Sequence, residues 1–223
     1  MTPVSFVSLG PGGLDSVTVG AVKTLTESTR VVCAGSRCKA IVSEVPGVDA
    51  AGVEVWDIPM TSEASSAYER LADYVADLYS RGERVAVTVE GDMSIYSSMH
   101  YVMDMLADSG IEVRAVAGVP ALAAASAVAG LHLVKHDERL TVIPGNATAM
   151  ELNDLIEEGS AIVVMKASRC REAFMELLAH RPRLEFYYLE SVGTPQEYVT
   201  SQAEDLYERR FPYFSIILIP AQA

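Results

Sequence analysis

Apolar and polar residues alternate along this chain with two distinct periods. Short β-branched runs, such as Val85–Val89, predict strands that are buried on both faces of a sheet. Apolar residues spaced three and four apart predict amphipathic helices, of which the longest covers residues 63–80. Because strands and helices alternate repeatedly, the pattern predicts an α/β fold with a mainly parallel sheet covered on both faces.

The predicted elements divide the chain into two halves. In the first half, strands are predicted at residues 4–9, 30–34, 53–58, 85–89 and 112–116, and helices at 16–27, 37–44, 63–80 and directly after Gly91. The apolar face of that last helix is expected to consist of Ile95, Met99, Val102, Met103 and Leu106. In the second half, helices are predicted at 119–130, 149–158 and 169–179, and strands at 140–143, at 161–165, and near 184–189 and 213–219. Near residues 117–120 the sequence changes in character, since an alanine-rich helix and several prolines follow. This change predicts two domains, residues 1–117 and 118–223.

Composition and charge narrow the range of functions. The chain of 223 residues carries a formal net charge of −13, which argues against nucleic acid because phosphate binding needs a clustered basic surface. No apolar run reaches the length of a membrane span, and the N-terminus lacks the layout of a signal peptide. Cys33, Cys38 and Cys170 lack metal-ligand spacing, so they predict buried, reduced thiols in a cytoplasmic protein without a metal site.

Short basic groups interrupt this acidic composition. They lie at residues 37–39, 135–139 and 166–171. Because local potential decides where a ligand docks, these groups still allow a polycarboxylate to bind.

Candidate chemistry lies where the predicted strands end. The strand at 85–89 stops at Glu90-Gly91-Asp92, where backbone N–H groups and a carboxylate meet open space. Asp92 fits either an N-cap of the next helix or a ligand-binding group, and Ser94 serves equally well as the cap. The turn Gly10-Pro11-Gly12-Gly13 is either an ordinary tight turn or a close approach of backbone to a ligand.

Two residues in the second half have similar alternatives. Lys166 ends the apolar strand at 161–165, where it either extends into water or binds a substrate carboxylate. Tyr213, in Phe211-Pro-Tyr-Phe-Ser215, is either a core tyrosine or a proton donor.

A dinucleotide site is disfavoured by the same turns. The glycines after the first strand do not have the G-x-G-x-x-G spacing, and the second strand ends in Ala34-Gly35 instead of the acid that binds a ribose. Pro11 also removes an N–H that a phosphate would use. The chain therefore lacks the pattern of an NAD enzyme.

In their order and separation, these motifs resemble the tetrapyrrole methylase family of S-adenosylmethionine (SAM)-dependent methyltransferases. The family's G-x-G-P-G segment is matched at residues 9–12, its GD-P-x-x-Y/F element at 91–96, and its P-G-[IV] element at 117–121. The likeness runs from Val4 to Ile219. It implies two α/β domains, with a mainly parallel N-terminal sheet, a mixed C-terminal sheet and a cofactor cleft between them.

Several segments are most similar to the branch of the family that methylates carbon 20 of precorrin-2 or cobalt-precorrin-2 in corrin (cobalamin) biosynthesis. They are residues 96–98, 140–145, 164–166, 194–197 and 212–215. Gly13, Met93 and Ala117 depart from the family pattern, which usually has Asp, Pro and Pro at these positions. These departures indicate a divergent member of the family, for which the resemblance identifies the cofactor more securely than the substrate.

The resemblance also implies roles for individual residues. SAM, and its product S-adenosyl-L-homocysteine, would be lined by Pro11, Gly91, Asp92, Ile95, Pro120, Ala121, Met165, Gly193 and Thr194. Ile95 and Met165 suit a thioether and an adenine face. Asp92 is the leading candidate for the base, Tyr213 for a proton relay and Lys166 for binding a peripheral carboxylate of a reduced tetrapyrrole. A homodimer is expected from the resemblance alone.

Three alternatives remain at this point. In the first, the chain is a methylase whose acceptor is another corrin-ring carbon or diphthine on elongation factor. In the second, it is a non-catalytic relative that binds SAM. In the third, it is an enzyme of another class that uses a nucleotide. The missing acid after the second strand weakens the last alternative.

Overall fold

Five parallel strands form the first sheet in a computed structural model, which describes residues 2–58 and 64–221. The strands lie in the order β3-β2-β4-β1-β5. They are β1 (Val4–Ser8), β2 (Arg30–Ala34), β3 (Val53–Trp56), β4 (Val85–Val89) and β5 (Val113–Val116). Every residue of β1 and β4 is buried, as the β-branched runs predict for central strands covered on both faces.

Helices cover both faces of this sheet. They are α1 (Val19–Glu27), α2 (Ser36–Glu44), α3 (Ala64–Ser80) and α4 (His100–Asp108). Val87 packs into one apolar cluster with α3 and α4, whereas its neighbour Ala86 packs into another with α1 and α2. Cys33 and Cys38 belong to the second cluster, where burial raises the pKa of the Cys38 thiol to about 12. The thiols are therefore protonated core residues, as predicted.

The second sheet mixes parallel and antiparallel pairs. Its strands lie in the order β6-β7-β10-β8-β9, and only β6 and β7 are parallel. They are β6 (Arg139–Ile143), β7 (Ser160–Met165), β8 (Tyr187–Glu190), β9 (Tyr198–Thr200) and β10 (Ser215–Ile219). Helices α6 (Ala149–Glu157) and α7 (Arg171–His180) share one core with this sheet, and α5 (Ala121–Val128) contributes to the other.

The described elements confirm the predicted fold class. The chain groups into two units, Met1–Pro120 with the parallel sheet and Ala121–Ala223 with the mixed sheet. The prediction of domains at residues 1–117 and 118–223 stays a prediction. In the two described ranges, no helix has both the length and the apolar character needed to cross a membrane.

The helix predicted directly after Gly91 is wrong in its first part. Residues 92–99 form turns, and α4 begins only at His100. The Asp92 side chain accepts hydrogen bonds from the backbone N–H and the hydroxyl of Ser94, a local arrangement that competes with helix formation. Tyr96 also has a positive φ of 53°, which a helix does not allow.

Other boundaries differ by a few residues. The helix predicted from residue 16 begins at Val19, because the Thr18 hydroxyl caps it by accepting the Ala21 N–H at 3.1 Å. β10 begins at Ser215, so Tyr213 precedes the strand that was predicted to contain it. The short strand β9 was not predicted. Glu63, the predicted first residue of α3, lies outside the described residues.

Candidate functional site

Two glycines join the ends of the two strands β1 and β4. These strands are adjacent and parallel, with Ser8 opposite Val89. Just beyond them, Gly10 and Gly91 each donate a backbone N–H to the carbonyl oxygen of the other, and both distances are 3.0 Å. Both glycines have a positive φ, 72° and 75°, which favours glycine. Both glycines are buried, yet a Cβ on Gly91 would meet no atom within 4 Å, so there is room beside this position, whereas a Cβ on Gly10 would lie 2.5 Å from Ser16.

The turn after β5 packs against the same corner through Gly118. A Cβ at position 118 would lie 2.6 Å from the Ser8 Cβ and 2.9 Å from the Gly91 carbonyl oxygen. Such contacts are too short for any side chain, so only glycine allows the three strand ends to meet here. The Thr18 hydroxyl donates to the Ala117 carbonyl oxygen at 3.2 Å and holds this turn from the other side.

The Asp92 carboxylate connects two of these turns. Its Oδ2 accepts the Gly118 N–H at 2.7 Å, and its Oδ1 accepts the N–H of Ser94 at 2.9 Å as well as the Ser94 hydroxyl. Partial burial alone would raise the pKa of Asp92, but hydrogen bonds from Ser94, Gly118 and Ser8 outweigh it and hold the pKa below its ordinary value. Neither Asp92 nor Ser94 caps α4, whose N-cap is Met99, so the capping interpretation is wrong.

Met93 makes a bond that the proline of the family pattern could not make. Its backbone N–H donates to the buried Ser8 Oγ at 2.9 Å. Proline has no N–H, so this departure from the pattern adds a donor where Ser8 supplies an acceptor. The corner therefore keeps an internal restraint at the substituted position.

An ion pair that the sequence analysis did not predict lies beside this corner. Arg37, at the start of α2, donates to Glu90 from Nε at 2.9 Å and from its second terminal nitrogen at 2.8 Å. β2 and β4 are neighbours, so residues that follow them meet at the same edge of the sheet. Bidentate pairing commits the Arg37 guanidinium to Glu90, which makes it a poor partner for a ligand carboxylate.

In the second unit, predicted site residues meet at one edge of the mixed sheet. Met165, the last residue of β7, pairs with Ile216 of β10, and Glu190, the last of β8, pairs with Ser215. The residues just beyond these positions therefore lie side by side. The Lys166 Nζ is 5.4 Å from the centre of the Tyr213 ring.

Backbone strain is concentrated at this same edge. Lys166 and Ser191 have positive φ values of 57° and 47°, which cost on the order of 1–3 kcal/mol each in a non-glycine residue. Gly145 follows β6, and a Cβ there would lie 2.6 Å from the Lys166 carbonyl oxygen, so the two turns are in close contact. The N–H and hydroxyl of Thr194 both donate to the Ser191 carbonyl oxygen, at 3.0 and 2.8 Å.

The structure thus places the predicted residues in two groups, one in each unit. The edge of the first sheet carries Pro11, Gly91, Asp92, Ile95 and, two residues after Gly118, Pro120. The edge of the second sheet carries Met165, Lys166, Gly193, Thr194 and Tyr213. Ala121 begins α5 and packs against the core of the second sheet. Their roles in binding and catalysis stay predictions.

Metal-binding groups are not evident at either edge. Across residues 2–58 and 64–221, no three His, Cys, Asp or Glu side chains come together in a way that could hold a metal ion. Arg171, which belongs to the short basic group at residues 166–171, donates to backbone carbonyl oxygens of residues 206, 207 and 209.

Comparison with known proteins gives one family across nearly the whole chain. A family model described as Tetrapyrrole (Corrin/Porphyrin) Methylases matches residues 3–207. The chain is 28% identical over 230 residues to precorrin-2 C(20)-methyltransferase of a Sinorhizobium species, which covers 96% of this chain and 93% of that protein. It is 29% identical over 185 residues to precorrin-4 C(11)-methyltransferase of Rhodococcus erythropolis, covering 78% and 71%.

Two further comparisons concern length and fold. The chain is 31% identical over 231 residues to cobalamin biosynthesis protein CobIJ of Mycobacterium tuberculosis, and it spans about half of that protein, 45%. Its fold is similar to that of cobalt precorrin-4 methyltransferase CbiF, with a TM-score of 0.76 and 21% identity, over 97% of this chain and 94% of that one.

Replacing Gly118 with Ala tests whether the three strand ends need glycine. The added Cβ would overlap Ser8 and the Gly91 carbonyl oxygen, so we expect a loss of about 1–3 kcal/mol of unfolding free energy in chemical denaturation. Gly20→Ala is the matched control, because a Cβ in that turn of α1 has no contact shorter than 3.8 Å and alanine favours helix. Equal stability of the two variants would contradict the packing argument.

Replacing Asp92 with Asn tests the charge of the carboxylate. Because the folded pKa lies below the ordinary 3.8, ionised Asp92 stabilises the folded chain at neutral pH. This contribution is complete above the ordinary pKa and is lost as pH falls through the folded pKa. We expect Asp92→Asn to lower the urea midpoint at about pH 6, and the gap to wild type to narrow below about pH 4. A gap that does not change with pH would show that the charge contributes nothing.

Proposed function

Because the chain belongs to the tetrapyrrole (corrin/porphyrin) methylase family, we propose that it transfers a methyl group from SAM to carbon 20 of precorrin-2 or cobalt-precorrin-2. This assigns it to cobalamin biosynthesis. The near full-length likeness to a precorrin-2 C(20)-methyltransferase supports the acceptor. The observation that carries the proposal is the corner at Gly10, Gly91 and Gly118, where main-chain atoms of three turns meet and a Cβ on Gly91 would meet no atom within 4 Å.

The residues of this corner fit a nucleoside that carries a sulfonium. Gly91 leaves its open side clear of side-chain atoms, so a ligand can approach the backbone closely. Pro11, which follows Gly10 directly, and the partly exposed Ile95 are proposed to supply apolar contacts, and the Asp92 carboxylate and nearby carbonyl oxygens supply negative potential for a cation. When bound, SAM supplies a methyl group on an excellent leaving group, so the chain needs chiefly to align the reactants and exclude water.

In this proposal Asp92 holds the corner in place. Its bond to the Gly118 N–H fixes the turn after β5 relative to the turn after β4. A carboxylate whose pKa is lowered by several hydrogen bonds is a weak proton acceptor, which favours positioning over general-base catalysis. The base role of Asp92 stays a prediction.

Lys166 and Tyr213 are proposed to face the tetrapyrrole. The Lys166 ammonium is close to the Tyr213 ring, at the strained edge of the second sheet. A charged donor there suits one of the peripheral carboxylates of the substrate, and the phenol suits a proton relay. Four further points stay predictions. They are the position of SAM in a cleft between the domains, the homodimer, the cytoplasmic location, and the cofactor-lining roles of Pro120, Ala121, Met165, Gly193 and Thr194.

A second candidate differs only in the ring position. The relative that methylates carbon 11 of precorrin-4 is similar to this chain at nearly the same identity as the carbon-20 relative, though over a shorter length. The same cofactor site would serve either acceptor.

Two measurements test the proposal. First, calorimetric titration of the purified chain with S-adenosylhomocysteine is expected to show binding at one site per chain. Second, incubation with methyl-labelled SAM is expected to transfer label to precorrin-2 or cobalt-precorrin-2, and not to precorrin-4 or diphthine. Transfer to precorrin-4 alone would establish the second candidate. Binding without transfer to any acceptor would support a non-catalytic relative, and the absence of binding would overturn the proposal.

Replacing Lys166 with Met tests its role toward the substrate. A charge-assisted hydrogen bond contributes about 1.5 kcal/mol or more, so we expect the KM for the tetrapyrrole to rise about tenfold. Binding of S-adenosylhomocysteine should stay within about twofold of wild type, because the change removes only a contact to the acceptor. Lys23→Met, which changes an exposed lysine of α1 outside the three basic groups, is the control. An unchanged KM in Lys166→Met would remove Lys166 from the site.

A further inference from the structure

We propose that Arg171 and Arg209 are positioning residues of the tetrapyrrole site, because together they fix the path of residues 206–212 and thereby the place of Tyr213. This inference rests on the proposed function, in which Tyr213 faces the substrate. It adds two residues that do not touch the ligand themselves.

Arg171 holds the first part of this segment. From the start of α7, its Nε donates to the carbonyl oxygen of Arg209 at 2.8 Å, and a terminal nitrogen donates to those of Tyr207 at 2.7 Å and Leu206 at 3.3 Å. Its guanidinium also lies 5.7 Å from the centre of the Phe211 ring. Segments that connect regular elements usually give their carbonyl oxygens to water. Here the Arg171 side chain donates to three of these carbonyl oxygens in place of water.

Arg209 holds the second part of the segment to the sheet. Its Nε and one terminal nitrogen donate to the two oxygens of Glu190, at 2.7 and 3.0 Å. Its planar guanidinium lies 3.4 Å from the centre of the Tyr198 ring in β9. The Glu190 side chain is only 12% exposed, and it also accepts the Tyr188 hydroxyl at 2.6 Å. A bidentate and stacked site of this kind fits arginine and not lysine.

The backbone is held on both sides of Tyr213, before it by the segment that the two arginines fix and after it by hydrogen bonds of Phe214 and Ser215. Before it, Phe211 is buried and packs against Tyr188, with ring centres 4.2 Å apart. After it, the Phe214 carbonyl oxygen accepts the Ser191 N–H at 2.9 Å. The Ser215 hydroxyl donates back to the Pro212 carbonyl oxygen at 2.6 Å. With both neighbours held, the backbone of Tyr213 has little freedom, and its ring is kept beside Lys166.

The donors of the network are used internally. Glu190 pairs with Arg209, and the Nε and one terminal nitrogen of Arg171 donate to backbone carbonyl oxygens. Neither guanidinium is therefore well placed to bind a substrate carboxylate directly, although both lie close to the proposed site in sequence. Their effect on the reaction must pass through the segment that they hold.

A double-mutant cycle between Arg209 and Tyr213 tests this inference. Arg209→Lys keeps the charge but loses the fork geometry, and Tyr213→Ala removes the ring on which the network is proposed to act. We expect each single variant to lower kcat/KM for the tetrapyrrole at least about tenfold, and the double variant to be no more than about twofold worse than Tyr213→Ala. Arg171→Lys is expected to repeat the result of Arg209→Lys.

Controls separate positioning from general destabilisation. Tyr198→Phe keeps the stacked ring, and Arg183→Lys changes an exposed arginine outside the network, so both should retain wild-type kinetics. All variants should bind S-adenosylhomocysteine within about twofold of wild type, because none of the substituted residues is among those proposed to line the cofactor. If Arg209→Lys weakens that binding in parallel with turnover, the role is merely structural.

The possible failures are distinguishable. If the wild-type chain methylates a tetrapyrrole but the losses in the cycle are additive, or Tyr213→Ala has wild-type kinetics, the positioning role is overturned and the proposed function stands. If the wild-type chain binds S-adenosylhomocysteine but methylates no tetrapyrrole, the proposed function fails, and the inference fails with it.

Discussion

The Gly91 carbonyl oxygen and the Ser8 side chain occupy the space that a Cβ on Gly118 would need. The ends of β1, β4 and β5 can therefore approach each other only as bare main chain, and the Gly10–Gly91 bridge and the Asp92 carboxylate fix that approach. The hydrogen bonds at this corner replace water as the partner of polar groups that the close packing removes from solvent. The shape of the first edge follows from this close packing of backbone.

Much of the fold could be predicted from local sequence. The strands Arg30–Ala34 and Val85–Val89 have the predicted bounds because β-branched runs end at glycine or polar residues. The segment after Gly91 was not predictable in the same way. Its apolar spacing fits a helix, but Asp92 takes its partners from Ser94 and, 26 residues later, from Gly118. A long-range partner of this kind leaves no periodic signal in the sequence.

In the candidate site, too, the residues at strand ends could be predicted from the sequence, whereas those held by long-range contacts could not. The motifs led to Gly91 and Lys166, which follow the carboxyl ends of β4 and β7, where the α/β pattern places site residues. They also led to Tyr213, which precedes the antiparallel strand β10 and not, as predicted, within it. Arg171 and Arg209 were not identified as parts of a network, because their partners are carbonyl oxygens and a glutamate on other elements. A basic residue near a motif suggests a ligand for carboxylates, yet only the tertiary structure shows that its donors are already used.

The bond from Met93 to Ser8 bears on how the sequence pattern of this family should be understood. A proline ring restrains the backbone covalently, whereas Met93 achieves a similar restraint with a donor that proline lacks. In this chain the buried Ser8 hydroxyl thus restrains the main chain at the position where the family pattern has a proline. A protein can depart from a motif at such a position and still restrain its backbone there, so residue identity alone does not record whether the corner is held.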